Sequence, residues 1–160
     1  MNAPLHREMP AGQLDSAQAL REVTHAWDAS ILPELKKYIE VPAKSPAFDT
    51  DWAAHGHIDT VVRQAADWVT AQKVEGLTLE IVRLKNAHGQ DRTPVMFFEL
   101  PASAGKDGTP APTSGQSVLM YGHLDKQPEF NGWRSDLGPW TPKIDDGKLY
   151  GRGGADDGYA

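Results

Sequence analysis

Residues 118–160 read VLMYGHLDKQPEFNGWRSDLGPWTPKIDDGKLYGRGGADDGYA, and the reading of this stretch decides the fold. From Ser117 to Gly122 a short apolar run has the length and bulk of a buried strand. GHLD follows at once, so the run predicts a buried strand over 117–121 with His123 and Asp125 at its C-terminal end. In open α/β sheets that end is where ligands bind. An aromatic, proline-rich passage, QPEFNGWRSDLGPWTP, comes next. In KIDDGKLY, Asp146-Gly147 predicts a tight hairpin turn between Ile144 and Leu149–Tyr150. The stretch closes on GRGGADDG, a glycine-rich turn leading into two adjacent carboxylates, Asp156 and Asp157.

Upstream, the order is helices and then strands. Residues 1–14 contain Pro4, Pro10 and Gly12 and read as a flexible tail. Asp15 or Ser16 can cap a helix whose apolar face carries Leu20, Val23, Trp27 and Ile31, then Leu35 and Ile39. Pro33 lacks an N–H and predicts a kink or a fresh helix start. A second helix is predicted from about His57 to Lys73, with Ile58, Val61, Val62, Ala65, Trp68 and Val69 on one stripe and Gly76 stopping it. Leu77–Leu84 and Pro94–Leu100 read as half-buried strands joined by the hairpin-sized NAHGQDRT. Residues 101–116 are rich in Gly, Pro, Ser and Thr and read as a surface loop. Residues 15–160 are therefore read as part of one α/β domain, a sandwich layered around a sheet.

Composition narrows the chemistry. The 160 residues are 39% hydrophobic and 24% charged, as in an ordinary globular protein. A net charge of −6 argues against nucleic acid or an anionic membrane as the main partner, since phosphates require a basic face. With no cysteine, any metal must be held by His and carboxylate. The first residues lack an apolar signal core, and no run approaches the roughly 20 apolar residues of a membrane span. A soluble, cytoplasmic protein is the expectation.

His123 and Asp125 have the i, i+2 spacing that places two side chains on one side of an extended segment. Such a pair suits a zinc-ligating imidazole oriented by a carboxylate. It equally suits a turn in which Asp125 caps the next element. Asp156 and Asp157 can present oxygens to a cation, and a carboxylate shared by two metals would hold a dinuclear site that activates water. They also match a solvated Asp-Asp-Gly turn, while two adjacent negative charges disfavour an anion-binding nest. The Gly-Lys-Ser/Thr of a phosphate loop is missing. His55 and His57 sit at a helix start among polar residues, and Trp133 and Trp140 read as packing groups.

Taken together, the linked motifs of residues 118–160 resemble the M20 family of metallopeptidases, which includes carnosinase-like dipeptidases, carboxypeptidases and acylases. An apolar strand runs into GHLD, a proline follows, then tryptophan, then DGKLYGRG, then Asp-Asp. GHLD-x-QP is nearest to the dipeptidase-like members. The close match covers about a quarter of the chain, and IEVPAKSP fits more loosely the family's opening helix and its Pro-Ser loop. There are two departures. Gly158-Tyr159 stand where the family usually has Lys-Gly after Asp-Asp, and Lys126 stands where it usually has valine or another apolar residue.

The resemblance implies an α/β/α sandwich of the zinc-peptidase type, of which residues 15–160 would be the N-terminal portion of the catalytic domain. It implies His123 and Asp156 as metal residues, Asp156 bridging two zinc ions (cobalt or manganese can substitute), and Asp125 as the catalytic residue supporting His123. The Asp156–Asp157 bond is then a candidate for the cis form. The implied activity is hydrolysis of the amide bond of a small peptide, most simply a dipeptide, by metal-activated water. Family members continue with a Glu-Glu pair, further ligands and an inserted lid or dimerisation domain. The 160 residues are accordingly expected to be an incomplete, inactive fragment, of a homodimer if the family pattern holds. A non-catalytic remnant or interaction module is the competing class, and a metal-dependent phosphoesterase a weaker one.

Overall fold

The computed structural model describes residues 15–102, 104, 115 and 117–156. The tail expected over 1–14, most of the loop expected over 101–116 and the Asp156–Asp157 bond lie outside those residues. The chain divides into two units, residues 1–34 and 35–160.

In the first unit, helix α1 spans Ser16–Ala26, and Asp15 caps it by accepting from the N–H groups of Ala17 and Gln18, each at 3.0 Å. This satisfies two of the donors that a helix start leaves without partners. The chain then widens into a π-helical turn, Trp27–Ile31, in which the Leu32 N–H bonds to the Trp27 carbonyl. Pro33 explains the widening: it has no N–H to donate, and its ring crowds the carbonyl one turn back. The expected apolar stripe is not buried here, since Leu20, Val23 and Trp27 are exposed. Periodicity specifies the face but not what covers it.

Helix α2, Leu32–Glu40, crosses into the second unit, where its last residues anchor the core. Leu35, Tyr38 and Ile39 fall on one face at the helical spacing. They pack with Ala43 and with Ile58, Val61 and Val62 of helix α4, His57–Ala71. Fully burying such side chains contributes about 1.5–3 kcal/mol each. Val41, Trp52, Met96, Leu124 and Leu149 close over this cluster. A short helix α3, Trp52–His55, leads into α4 through Gly56, which takes the left-handed conformation, φ 69°. Helix α4 ends at Ala71, before the expected stop at Gly76; the chain turns at Lys73, whose φ is 52°.

Strands β1, Thr78–Val82, and β2, Val95–Glu99, pair antiparallel as the expected hairpin. They are less covered than expected, with Ile81, Val95, Phe97 and Phe98 exposed. Strands β3, Lys143–Asp145, and β4, Lys148–Tyr150, form the second hairpin. Its turn places Asp146 at φ 49° and Gly147 at φ 70°, the double left-handed geometry that Asp-Gly favours. Helices and strands are both present, as the α/β class requires, and the described strands make two separate two-stranded sheets.

One expectation is overturned. Residues 117–121 form no strand and are not buried; Val118 is 87% and Leu119 95% exposed. A buried strand needs hydrogen-bonding neighbours as well as apolar side chains. Among the described residues no strand pairs with this run. The apolar composition was read correctly, but its partners were assumed.

Among the described residues the largest fully buried side chain is a lysine: Lys126 is 1% exposed. Its Nζ donates to the carbonyls of Tyr38 and Val41, the latter at 2.6 Å, with that of Ile39 at 3.5 Å. It also lies 3.9 Å from the centre of the Tyr38 ring. These carbonyls lie at and just past the end of α2, where the helix dipole favours a cation; those of Tyr38 and Val41 also accept from the N–H groups of Val41 and Ala43. The Lys126 backbone is held as well, its N–H donating to Ala43 and its carbonyl accepting from Ser45. The glycine-rich turn packs on the same spot. A Cβ at Gly151 would stand 2.4 Å from Ile39 Cγ2, and one at Gly153 would stand 3.1 Å from Lys126 Cε.

Two outcomes are expected. Gly151→Ala forces a methyl against Ile39, which is fully buried, and should lower stability by about 1–3 kcal/mol. An unchanged urea midpoint would show that the core gives way freely. Burial pushes the Lys126 ammonium down from 10.5 to about 7. Between those values the unfolded chain holds a proton that the folded chain has released, so stability should rise with pH across that window. This group contributes a slope of no more than about 1.4 kcal/mol per pH unit. Unfolding curves from pH 6 to 10 should be flatter for Lys126→Met, and parallel curves would contradict the assignment.

Candidate metal centre

Residues Gly122–Asp125 have no regular secondary structure, and Lys126 makes an isolated parallel bridge with Lys44. Leu124 packs against the core, and its carbonyl accepts from the Tyr38 hydroxyl at 3.0 Å. Lys126 is buried behind it. The intervening residues, His123 and Asp125, are left partly exposed, with about a third of each side chain open to solvent. The local fold thus selects which residues of GHLDK meet solvent by anchoring the other two.

His123 and Asp125 are joined twice. His123 Nδ1 lies 3.0 Å from the Asp125 carbonyl oxygen and 3.1 Å from Asp125 Oδ1. Both atoms accept only, so the Nδ1 position carries the hydrogen in the tautomer these partners favour. The lone pair of Nε2 then faces outward, and 3.4 Å away is Asp156 Oδ1. The glycine turn delivers Asp156 to this point. Arg152 N–H bonds to the Pro139 carbonyl at 2.7 Å and Gly154 N–H to the Gly151 carbonyl at 3.3 Å. Gly151 and Gly153 permit the close approach to Ile39 and Lys126 that brings the turn alongside His123.

An imidazole lone pair and a carboxylate oxygen repel each other at this separation unless a proton or a cation lies between them. The donor set fits zinc, which takes imidazole nitrogen and carboxylate oxygen at about 2.0–2.2 Å in tetrahedral array. Two such donors stand about 3.3–3.6 Å apart around one ion, a simple consequence of those bond lengths. Among the described residues no group of three or more His, Cys, Asp or Glu converges to hold a metal. The centre as described therefore consists of two facing donors and one orienting carboxylate.

The other candidates lie elsewhere. His55 Nδ1 is 2.8 Å from Asp49 Oδ2, and this hydrogen bond is the main reason the buried Asp49 carboxyl sits below the usual carboxylate range. His57 opens α4, its ring centre 5.8 Å from that of His55. Trp133 donates to the Glu129 carbonyl at 2.8 Å, and the Trp140 ring centre is 5.5 Å from Lys126 Nζ, in keeping with packing roles. The sequence marks Lys126 only as a departure from the family pattern and gives Tyr38 no role. The signal was available, because alternation puts residue 126 on the same side as the apolar Leu124.

Comparison with known proteins bears on the same stretch. The sequence model of peptidase family M20/M25/M40 matches residues 119–160. A Beta-Ala-His dipeptidase of Mus musculus is 36% identical over 86 residues, covering 52% of this chain and 15% of that protein. The Rattus norvegicus protein of that name is 54% identical over 43 residues, covering 26% of this chain and 8% of its own length. The Homo sapiens protein is 46% identical over 66 residues, covering 40% and 11%. The chain thus spans no more than 15% of the length of these curated relatives. The family match spans residues 119–160, the stretch that contains His123, Asp125 and Asp156.

Proposed function

We propose that this chain is the N-terminal portion of the catalytic domain of a metal-dependent peptidase that hydrolyses the amide bond of small peptides. A dipeptide of the β-Ala-His type is the first substrate to try. The observation that carries this reading is the 3.4 Å approach of His123 Nε2 to Asp156 Oδ1, with Nδ1 held by Asp125. The similarity to proteins named Beta-Ala-His dipeptidase supports the substrate class. In the complete protein we place the centre in an α/β/α sandwich with two zinc ions and a lid or dimerisation domain, in a cytoplasmic homodimer. Cobalt or manganese are alternative metals.

His123 and Asp156 would hold the metal through Nε2 and a carboxylate oxygen. Zinc there supplies Lewis acidity, polarising the peptide carbonyl and making water nucleophilic at neutral pH. Asp125 keeps the hydrogen on Nδ1, fixes the ring plane and raises the basicity of Nε2. The Asp156 carboxylate adds the negative charge that offsets the cation.

Calorimetric titration of zinc into the chain is the direct test. His123→Ala and Asp156→Ala are each expected to weaken binding by at least about 10-fold, and Asp125→Ala by about 10–100-fold. Equal affinity in all three variants would overturn the metal reading. Residues 1–160 alone should show no dipeptide turnover with zinc, cobalt or manganese. Catalytic zinc wants three protein ligands, and two donors face each other here. Turnover abolished by His123→Ala would refute that. Protein expressed from the whole reading frame should hydrolyse β-Ala-His in a His123-dependent manner, and inactivity across a dipeptide panel would remove the peptidase assignment.

A further inference from the structure

The two halves of the candidate centre reach it from different parts of the chain, and one side chain touches the supports of both. Lys126 adjoins Asp125 and fixes the GHLD turn through its ammonium, which is bound to carbonyls at the end of α2. Its aliphatic stem lies under Gly153, three residues before Asp156, where an added Cβ would fall 3.1 Å from Cε and 3.2 Å from Cδ. Tyr38 shares both tasks: its ring faces the ammonium and its hydroxyl holds the Leu124 carbonyl. An apolar residue at 126 could fill the space but could not join the turn to the helix end.

We propose that Lys126 is a positioning residue for the metal centre: its ammonium on the α2 carbonyls and its stem beneath Gly153 keep His123 and Asp156 facing each other. The inference rests on the metal reading above and extends it to a residue outside the donor pair. Loss of the ammonium should let the GHLD turn swing, so that Asp125 no longer holds the hydrogen on His123 Nδ1 and the Nε2–Asp156 approach is lost.

The test uses the 160-residue chain with Lys126→Met, which keeps the length and removes the donors, beside wild type. The first readout is the His123 tautomer in the metal-free protein, from long-range proton–nitrogen NMR of the imidazoles. Wild type should hold the Nδ1–H form and Lys126→Met a mixture of both. The second is cobalt affinity, followed by visible absorption, which should fall about 10–100-fold, as for loss of a group that orients a ligand. Far-UV circular dichroism reports whether α2 and α4 persist. If Lys126→Met does not fold, Lys126→Gln, which retains two N–H donors on a shorter stem, should show the same changes in weaker form. A folded variant with an unchanged tautomer and unchanged affinity overturns the proposal. Failure of both variants to fold also overturns it, by making Lys126 a determinant of the core alone. If wild type binds no cobalt, the metal reading falls, while the tautomer still decides the role of Lys126.

Discussion

A lysine ammonium shut away from water rests on the carbonyls of Tyr38, Ile39 and Val41, and the second unit is organised around that contact. Burying a cation is costly, and the cost is tolerable only where acceptors are already gathered. A helix C-terminus gathers them: its last carbonyls lie beyond the reach of regular helical donors and carry the negative end of the dipole, and here those of Tyr38 and Val41 accept from Lys126 as well as from the N–H groups of Val41 and Ala43. The same contact solves two problems at once. It closes the end of α2, and it ties down a segment that has no sheet to lie in.

That second effect matters because regular structure near the centre is sparse. The residues that hold it lie in irregular and turn segments, and their order comes from specific bonds. The Tyr38 hydroxyl takes the Leu124 carbonyl, the backbone of Lys126 is pinned on both sides by Ala43 and Ser45, and Arg152 is tied to Pro139. Four small links of this kind position His123 and Asp156 where a strand end would otherwise be required. Each net hydrogen bond is worth only about 0.5–1.5 kcal/mol, so the arrangement depends on several acting together.

How much of this was legible in the sequence follows from the range of each interaction. The Asp146-Gly147 hairpin and the Asp15 cap are decided within a few residues, and both stand as read. The faces of α2 and α4 follow from spacing, and Leu35, Ile39, Ile58, Val61 and Val62 are indeed the core. Residues 117–121 and the face carrying Leu20 and Val23 were read as buried because they are apolar, yet apolarity names a preference that only a partner can satisfy. Linked motifs brought His123, Asp125 and Asp156 to attention together, and the structure sets them side by side. Lys126 stood out only as a departure from an apolar position; its burial was not legible because a charged side chain signals solvent by default, and only the carbonyls of a helix distant in sequence reverse that default.

The contact between Gly151 and Ile39 reaches beyond its local geometry. With no room for a Cβ at 151 while a branched side chain fills position 39, the two sites cannot vary independently. Shortening residue 39 would open space at 151 but leave its backbone at φ 152°, so a pair of changes that each destabilise alone should compensate only for the steric part when combined. In a library randomised at both positions, glycine should dominate position 151. The few survivors with alanine or serine there should face a small residue at 39. A site of this kind can drift in sequence only by paired steps, which ties the history of the glycine turn beside Asp156 to that of a helix more than a hundred residues earlier in the chain.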